Sequence, residues 1–299
     1  MTRTPPDHAP YLRAERLRHV WGDGAGLEGS IREATAAPTR GLEAARSGKT
    51  RRMLDLPRGI TTCLFDLDGV LTQTARIHAR AWKEMFDDFL REWAERHDEP
   101  FEPFDRPTDY DEYVDGKPRL DGVHSFLQSR GIELPMGSPS DPPDADTVHG
   151  LGTRKNDLVL ELIQQQGVMP YEGSVRFVEE VRDAGLRRAV VSSSTNCRDV
   201  LIAAGIEQHF EARIDGTVAE REGLAGKPAA DTFLAAARVL EAEPAQAAVF
   251  EDALAGVEAG RAGAFGWVVG VDRTGQAEAL KARGADVVVR DLDQLLMRA

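Results

Sequence analysis

The sequence is poor in cysteine, in basic residues and in long apolar runs, and each shortage removes a class of protein. Two cysteines, Cys63 and Cys197, both within apolar segments, exclude a disulfide-stapled secreted scaffold and read as small core residues in a reducing compartment. No apolar run reaches the length of a membrane span and the N-terminus lacks the apolar stretch of a secretory signal, so a cytoplasmic protein is expected. Acids outnumber lysines and arginines by 50 to 37; the formal net charge of -13 argues against a nucleic-acid or membrane surface. A small molecule is left as the expected partner. If it is an anion, this acidic chain has to gather its few cations at one place or recruit a metal.

What is present is a regular alternation that begins late. Residues 1–58 contain "TRTPPDHAP", "WGDGAGLEG" and "APTRG", which interrupt every periodicity and read as a disordered extension. A regulatory tail, a packing arm and a start at Met53 all stay open for it. From Ile60 onward, short apolar runs ("TTCLFD", "RRAVVSSS", "EARID", "AAVFED", "FGWVVGV", "ADVVV") alternate with helix-period segments, several closed by glycine. That pattern predicts an α/β fold, a doubly wound parallel sheet. One long interruption, 79–166, carries the amphipathic stretch "HARAWKEMFDDFLREWAERH", acidic and proline-rich loops, and the helix "RKNDLVLELIQQQG". It reads as a helical cap inserted after the first strand, leaving 59–78 and 167–299 as the core.

In such a sheet, ligands collect beyond the carboxyl ends of the strands. Asp66 and Asp68 end the first apolar run, Ser192 ends "AVVS", Glu251 and Asp252 end "AAVFED", and Lys227 stands before Pro228 at an expected helix start. Carboxylates, a hydroxyl and an ammonium on one rim suit phosphoryl transfer. Hard oxygens can hold Mg2+, one carboxylate can attack phosphorus, and another can move the proton of the leaving or incoming hydroxyl. A calcium loop fails as a reading of "DLDG", because Val70 and Ile77 occupy the positions that need oxygen ligands. A plain structural turn would leave the later strand-end groups unexplained.

The four spaced motifs "DLDGVLT", the serine of "VVSSS", "GKPAADTF" and "FEDALAG" resemble those of the haloacid dehalogenase superfamily, and the chain is most similar within it to β-phosphoglucomutase and its relatives. The resemblance covers about residues 60–299 and implies a Rossmann-like core with a helical cap. It implies Asp66 as nucleophile, Asp68 as acid and base, Ser192 and Lys227 as phosphate holders, and Asp66, the Asp68 carbonyl, Glu251 and Asp252 as ligands of Mg2+. Asp68 speaks against the dehalogenases proper, which do not use this second carboxylate. In the cap, His78 and Trp82 of "HARAW", Gly116, Lys117 and Arg119 of "DGKPRLDG", and Lys155 of "RKND" match segments that handle substrate. Ser193, Ser194, Thr195 and Asn196 of "SSSTN" match the core loop that touches it. Gln73 departs from the pattern, where relatives carry Asp, and both the larger cap loops and the N-terminal extension lack counterparts.

Each cap residue has a second reading. His78 can fix the hinge, Trp82 shares a helical stripe with Met85, Phe86 and Phe89 and can be core, Arg119 can be a solvated charge, and Lys155 follows Arg154 at a helix start. The acids Asp109, Asp111, Glu112 and Asp115 read as a solvated loop. The resemblance implies conversion of β-D-glucose 1-phosphate to β-D-glucose 6-phosphate through an aspartyl-phosphate and a 1,6-bisphosphate, fed by a disaccharide phosphorylase. A Mg2+-dependent sugar-phosphate phosphatase is the alternative reaction class, and a non-catalytic phospho-ligand binder is a third reading.

Overall fold

A computed structural model describes residues 54–105 and 108–297 of the chain. Most of the expected extension, 1–58, lies outside the described residues. At its end there is a difference: Leu54 is buried and pairs with Leu296, while the Asp55 amide donates to the Leu295 carbonyl at 2.8 Å. Apolar contact with leucines from the far end of the chain outweighs the irregular local composition.

The strands are β1 (Thr62–Phe65), β2 (Arg187–Val191), β3 (Ala212–Ile214), β4 (Ala247–Glu251), β5 (Trp267–Val271) and β6 (Val287–Val289). They form the parallel sheet that the alternation predicts, with the strands in the order β3-β2-β1-β4-β5-β6. The helices are α1 (Ala75–His97), α2 (Arg119–Ser129), α3 (Val148–Gln166), α4 (Glu172–Asp183), α5 (Cys197–Ala203), α6 (Gly216–Glu222), α7 (Asp231–Val239), α8 (Leu254–Ala262) and α9 (Ala277–Ala282).

Successive strand residues point to opposite faces, so each strand feeds two cores. Cys63, Phe65, Val190 and Phe250 enter one core, with Phe177 and Val181 of α4 and Leu201 of α5. Leu64, Ala189, Val191 and Val249 enter the other, with Phe233 of α7, Val257 of α8 and Leu280 of α9. Helices on both faces bury the central strands, which is why β1, β4 and most of β2 read as largely apolar runs, while the edge strands β3 and β6 are only partly covered. Burial pushes the thiols of Cys63 and Cys197 up, and both remain neutral packing groups. No helix among the described residues is long and apolar enough to cross a membrane.

Helices α1 to α3 have an aromatic core of their own. Trp82 stacks on Phe86 at 5.3 Å, and Phe86 lies 4.2 Å from the ring of Phe126 and 5.2 Å from that of Phe104. The stripe reading of Trp82 therefore holds. The acidic run is not a solvated loop. Asp109 is buried, accepts from Arg130 Nη2 at 2.6 Å and from the Asp105 amide at 2.7 Å, and Tyr110–Val114 winds as a wide turn closed by Asp115 N to the Tyr110 carbonyl at 2.9 Å. The Arg130 guanidinium supplies the charge that makes this burial tolerable.

Two chain crossings join the sheet to α1–α3, and they run side by side. The Gln73 amide donates to the Met169 carbonyl at 2.9 Å and the Tyr171 amide to the Leu71 carbonyl at 2.8 Å. The Gln73 side chain is exposed, so this hinge is held by backbone.

Candidate active site

The carboxyl ends of β1, β2 and β4 meet at one rim. β1 pairs with both neighbours in a register that sets Phe65 beside Val190 and Phe250, so the residues that follow emerge together. Lys227 Nζ stands between them and donates to Asp66 Oδ1 at 2.6 Å, Glu251 Oε1 at 2.5 Å and the Val191 carbonyl at 3.1 Å. An ammonium has three donors, and all three are used. Burial works to lower the Lys227 pKa, but the two carboxylates outweigh it and hold the ammonium protonated. The sequence pattern placed Lys227 among phosphate holders; here it fixes one oxygen of Asp66.

Three buried carboxylates, Asp66, Glu251 and Asp252, each bring an oxygen to within 4.8 Å of the others. Burial first, and then neighbouring carboxylates (Asp115 foremost for Asp252, Glu251 for Asp66), push Asp66 and Asp252 well above the usual carboxylate range, in Asp66 against the pull of Lys227. One ammonium does not compensate three carboxylates. The set is made of hard oxygen donors in a site short of positive charge, which fits a divalent cation such as Mg2+. Gly69 allows this crowding: its φ is +87°, and a methyl group there would overlap the Asp252 carboxylate. Glu251 Oε2 also accepts from the Ala253 amide at 3.0 Å, tying the carboxylate to the loop before α8.

Asp68 lies a little further out. Its Oδ1 accepts from the Thr74 hydroxyl, which is linked to Thr72 Oγ1 at 2.6 Å. Thr74 precedes α1, where a threonine ordinarily caps the helix, yet it makes no capping bond. Its hydroxyl serves the carboxylate instead. His78 Nε2 is 3.6 Å from Asp68 Oδ1, buried and without a hydrogen-bond partner. Its Nδ1 meets Lys155 Nζ at 2.9 Å. Burial first, and then the Lys155 and Arg119 charges, bring the His78 pKa down to about 4, leaving the ring neutral. Burial and Arg119 bring Lys155 down to about 7. Lys155 Nζ also lies 4.7 Å from the Trp82 ring centroid, so one helix-packing aromatic also faces the site.

A cavity of about 510 Å³ is lined by Asp66 and Asp68 on one side and by Arg119, Lys155 and Asn156 on the other. Arg119 is not a solvated charge; burial lowers its pKa, and its Nη1 donates to Asn156 Oδ1 at 2.6 Å. Ser192, buried at the end of β2, accepts from the Ser194 amide at 3.1 Å. Ser194 Oγ accepts from the Asn196 amide at 3.1 Å, and Thr195 lines the same wall. Ser193 differs: its hydroxyl donates to the Gly116 carbonyl at 2.7 Å, joining the core loop to the segment before α2. Gly116 itself has φ +71°. Lys117 turns its ammonium to the Glu112 carbonyl and Ser125 Oγ, both at 3.0 Å. Arg154 is spent on the Pro143 carbonyl at 2.7 Å, holding the proline-rich loop.

Sequence reasoning missed Thr74, Asn156 and Arg273. Arg273, after β5, donates to the Gly69 carbonyl at 2.8 Å and the Arg290 carbonyl at 2.6 Å and lies 3.6 Å over the Tyr171 ring. It clamps the turn that follows Asp68. The N-cap position of Thr74 and the place of Asn156 beside Lys155 in "RKND" were usable signals; Arg273 depends on contacts distant in the chain and carried none.

A family model described as haloacid dehalogenase-like hydrolase matches residues 60–263. The beta-phosphoglucomutase of Mycobacterium tuberculosis (strain CDC 1551 / Oshkosh) is 56 % identical over 248 residues, spanning 82 % of this chain and 95 % of that protein. The beta-phosphoglucomutase of Bacillus subtilis (strain 168) is 32 % identical, over 78 % of this chain and 91 % of its own. Among solved structures, a beta-phosphoglucomutase from Clostridium difficile superposes with a TM-score of 0.61 at 26 % identity, covering 79 % of this chain and 93 % of the other.

Proposed function

This chain belongs to the haloacid dehalogenase-like hydrolases and is an enzyme acting on phosphate groups, and from that premise we propose that it interconverts β-D-glucose 1-phosphate and β-D-glucose 6-phosphate through a 1,6-bisphosphate. The observation that carries this reading is the pair of cap cations, buried Lys155 and half-buried Arg119, lining the same cavity as Asp66 and Asp68. A phosphatase has to hold one phosphate. A mutase has to hold a bisphosphate at both ends and exclude water meanwhile.

Lys227 fixes Asp66 Oδ1, and the other carboxylate oxygen attacks phosphorus, giving an aspartyl-phosphate as the ester oxygen leaves. Asp68, aimed by Thr74 and flanked by neutral His78, protonates that leaving oxygen. β-D-Glucose 1-phosphate presents its 6-hydroxyl to this aspartyl-phosphate, Asp68 takes the hydroxyl proton, and the oxygen attacks the phosphoryl group, giving the 1,6-bisphosphate and freeing the Asp66 carboxylate; the turned bisphosphate then yields its 1-phosphate to Asp66 and leaves as β-D-glucose 6-phosphate. Ser192 and the amides of its loop hydrogen-bond the transferring phosphoryl oxygens, while Arg119, Lys155 and Asn196 hold the phosphate at rest. Asp66, Glu251, Asp252 and the Asp68 carbonyl would hold Mg2+, which when bound supplies charge neutralisation between phosphoryl oxygens and nucleophile. A disaccharide phosphorylase releasing β-glucose 1-phosphate is the class of reaction that would supply the substrate.

The test follows glucose 6-phosphate and inorganic phosphate together, with Mg2+, β-glucose 1-phosphate and a trace of glucose 1,6-bisphosphate. Glucose 6-phosphate forming well ahead of phosphate supports the mutase; phosphate release alone would make the enzyme a phosphatase.

A further inference from the structure

Asn156 follows Lys155 in the "RKND" segment, and its side chain joins the two sides of the cavity. It lies on α3, and its Oδ1 accepts from two donors at once: Arg119 Nη1 at 2.6 Å, from the start of α2, and Asn196 Nδ2 at 3.0 Å, from the loop after β2. Arg119 Nε is buried and has no hydrogen-bond partner. A buried guanidinium is normally matched by a carboxylate, because an unpaired buried charge is costly. Here the Nη1 acceptor is a neutral amide. Asp157 and Glu220 attract the guanidinium electrostatically, while the Asn156 acceptor orients it without adding a charge of its own, and the Nε hydrogen stays without a hydrogen-bond partner.

We propose that Asn156 is a positioning residue that presents Arg119 and Asn196 as one two-armed donor to the non-reacting phosphate, and that its neutrality sets the enzyme's preference for doubly phosphorylated ligands. This rests on the mutase reading, which supplies the second phosphate. Asn156 touches the donors and acts through them. Its side chain does two things that separate on substitution. Alanine removes the orientation and keeps the Arg119 charge. Aspartate keeps the shape and the acceptor but pairs with Arg119 as an ion, so an incoming phosphate has to compete with a built-in carboxylate.

The experiment measures glucose 1,6-bisphosphate binding by calorimetry in the full chain with Mg2+, in an Asp66→Asn background that prevents turnover. Asn156→Asp is expected to weaken binding by about tenfold or more and Asn156→Ala by about threefold. In the active background, kcat and KM for p-nitrophenyl phosphate, which has a single phosphate, are measured for the same variants. The loss for the bisphosphate is expected to exceed the loss for the aryl phosphate by about tenfold in Asn156→Asp. A merely structural role would reverse the order, sparing the isosteric aspartate and punishing alanine. Binding by Asn156→Asp within twofold of its parent, or equal losses on both phosphates, would overturn the proposal. A parent that does not bind the bisphosphate at all would overturn the mutase reading and take this role with it. Binding is read without turnover, so absent isomerisation in a protein that still binds leaves the two failures distinguishable.

Discussion

Lys227 holds Asp66 and Glu251 apart from one another by standing between them, and that gives the clearest expectation for a single side chain. Lys227→Met leaves buried carboxylates without their counter-charge. It is expected to abolish phosphate turnover and to cost about 3–5 kcal/mol of stability at neutral pH, read by urea denaturation of the metal-free protein. Thr74 gives the opposite signature. Its hydroxyl serves Asp68 and makes no helix-capping bond, so Thr74→Val is expected to lower kcat strongly while stability falls by less than the ~1 kcal/mol of a lost cap. Lys155 supplies a pH dependence. Its ammonium, brought down to about 7 by burial and by Arg119, is charged below that pH and neutral above it. Raising the pH through 7 removes a cation from the cavity wall, so on the proposed reading KM for phosphate ligands is expected to rise on the alkaline side, and Lys155→Met to flatten that limb. The sign for stability is the reverse. A depressed lysine pKa penalises folding while the group is protonated, and the penalty lifts as pH rises above about 7.

At the scale of elements, the turn after β1 carries the most consequence per residue. Gly69 has a positive φ and lies against the Asp252 carboxylate. Gly69→Ala is expected to displace the β1 loop and the metal-side carboxylates together, with a loss in kcat/KM on the order of 100-fold, measured by initial rates at saturating Mg2+. The strands, their parallel direction and the carboxylates at their ends were legible in the sequence because they depend on local signals: apolar runs broken by "DLD", "SSS" and "ED". The cap was legible as helices. Its contacts were not, since Asp109 is rescued by Arg130 from another element, Lys117 turns to Ser125, and Ser193 reaches Gly116. Each depends on how distant segments pack, which no periodicity encodes. Trp82 illustrates the overlap: helical spacing marked it as core and motif spacing marked it as site, and the ring does both, packing on Phe86 while facing Lys155.

For the whole molecule, the acidic balance matters. A protein of formal charge -13 repels anions at long range, and the cations of the cavity act only at close quarters. The strand order has a different consequence, one for synthesis. β1 is made early but lies mid-sheet, where its partners are β2, aligned with Thr62 at Arg187, and β4, aligned at Ala247. All of α1 to α3 leaves the ribosome before either partner exists, and the aromatic cluster of Phe86, Phe104 and Phe126 can close on itself at once. β4 follows on the order of ten seconds later at ordinary elongation rates. Until then Phe65 lacks Phe250, on which it ends up stacked at 4.6 Å, and has only the edges of Phe177 and Phe210 to meet. The nascent chain thus folds cap first, with β1 left without β4 until the last third of translation, and that strand is the segment a chaperone would find.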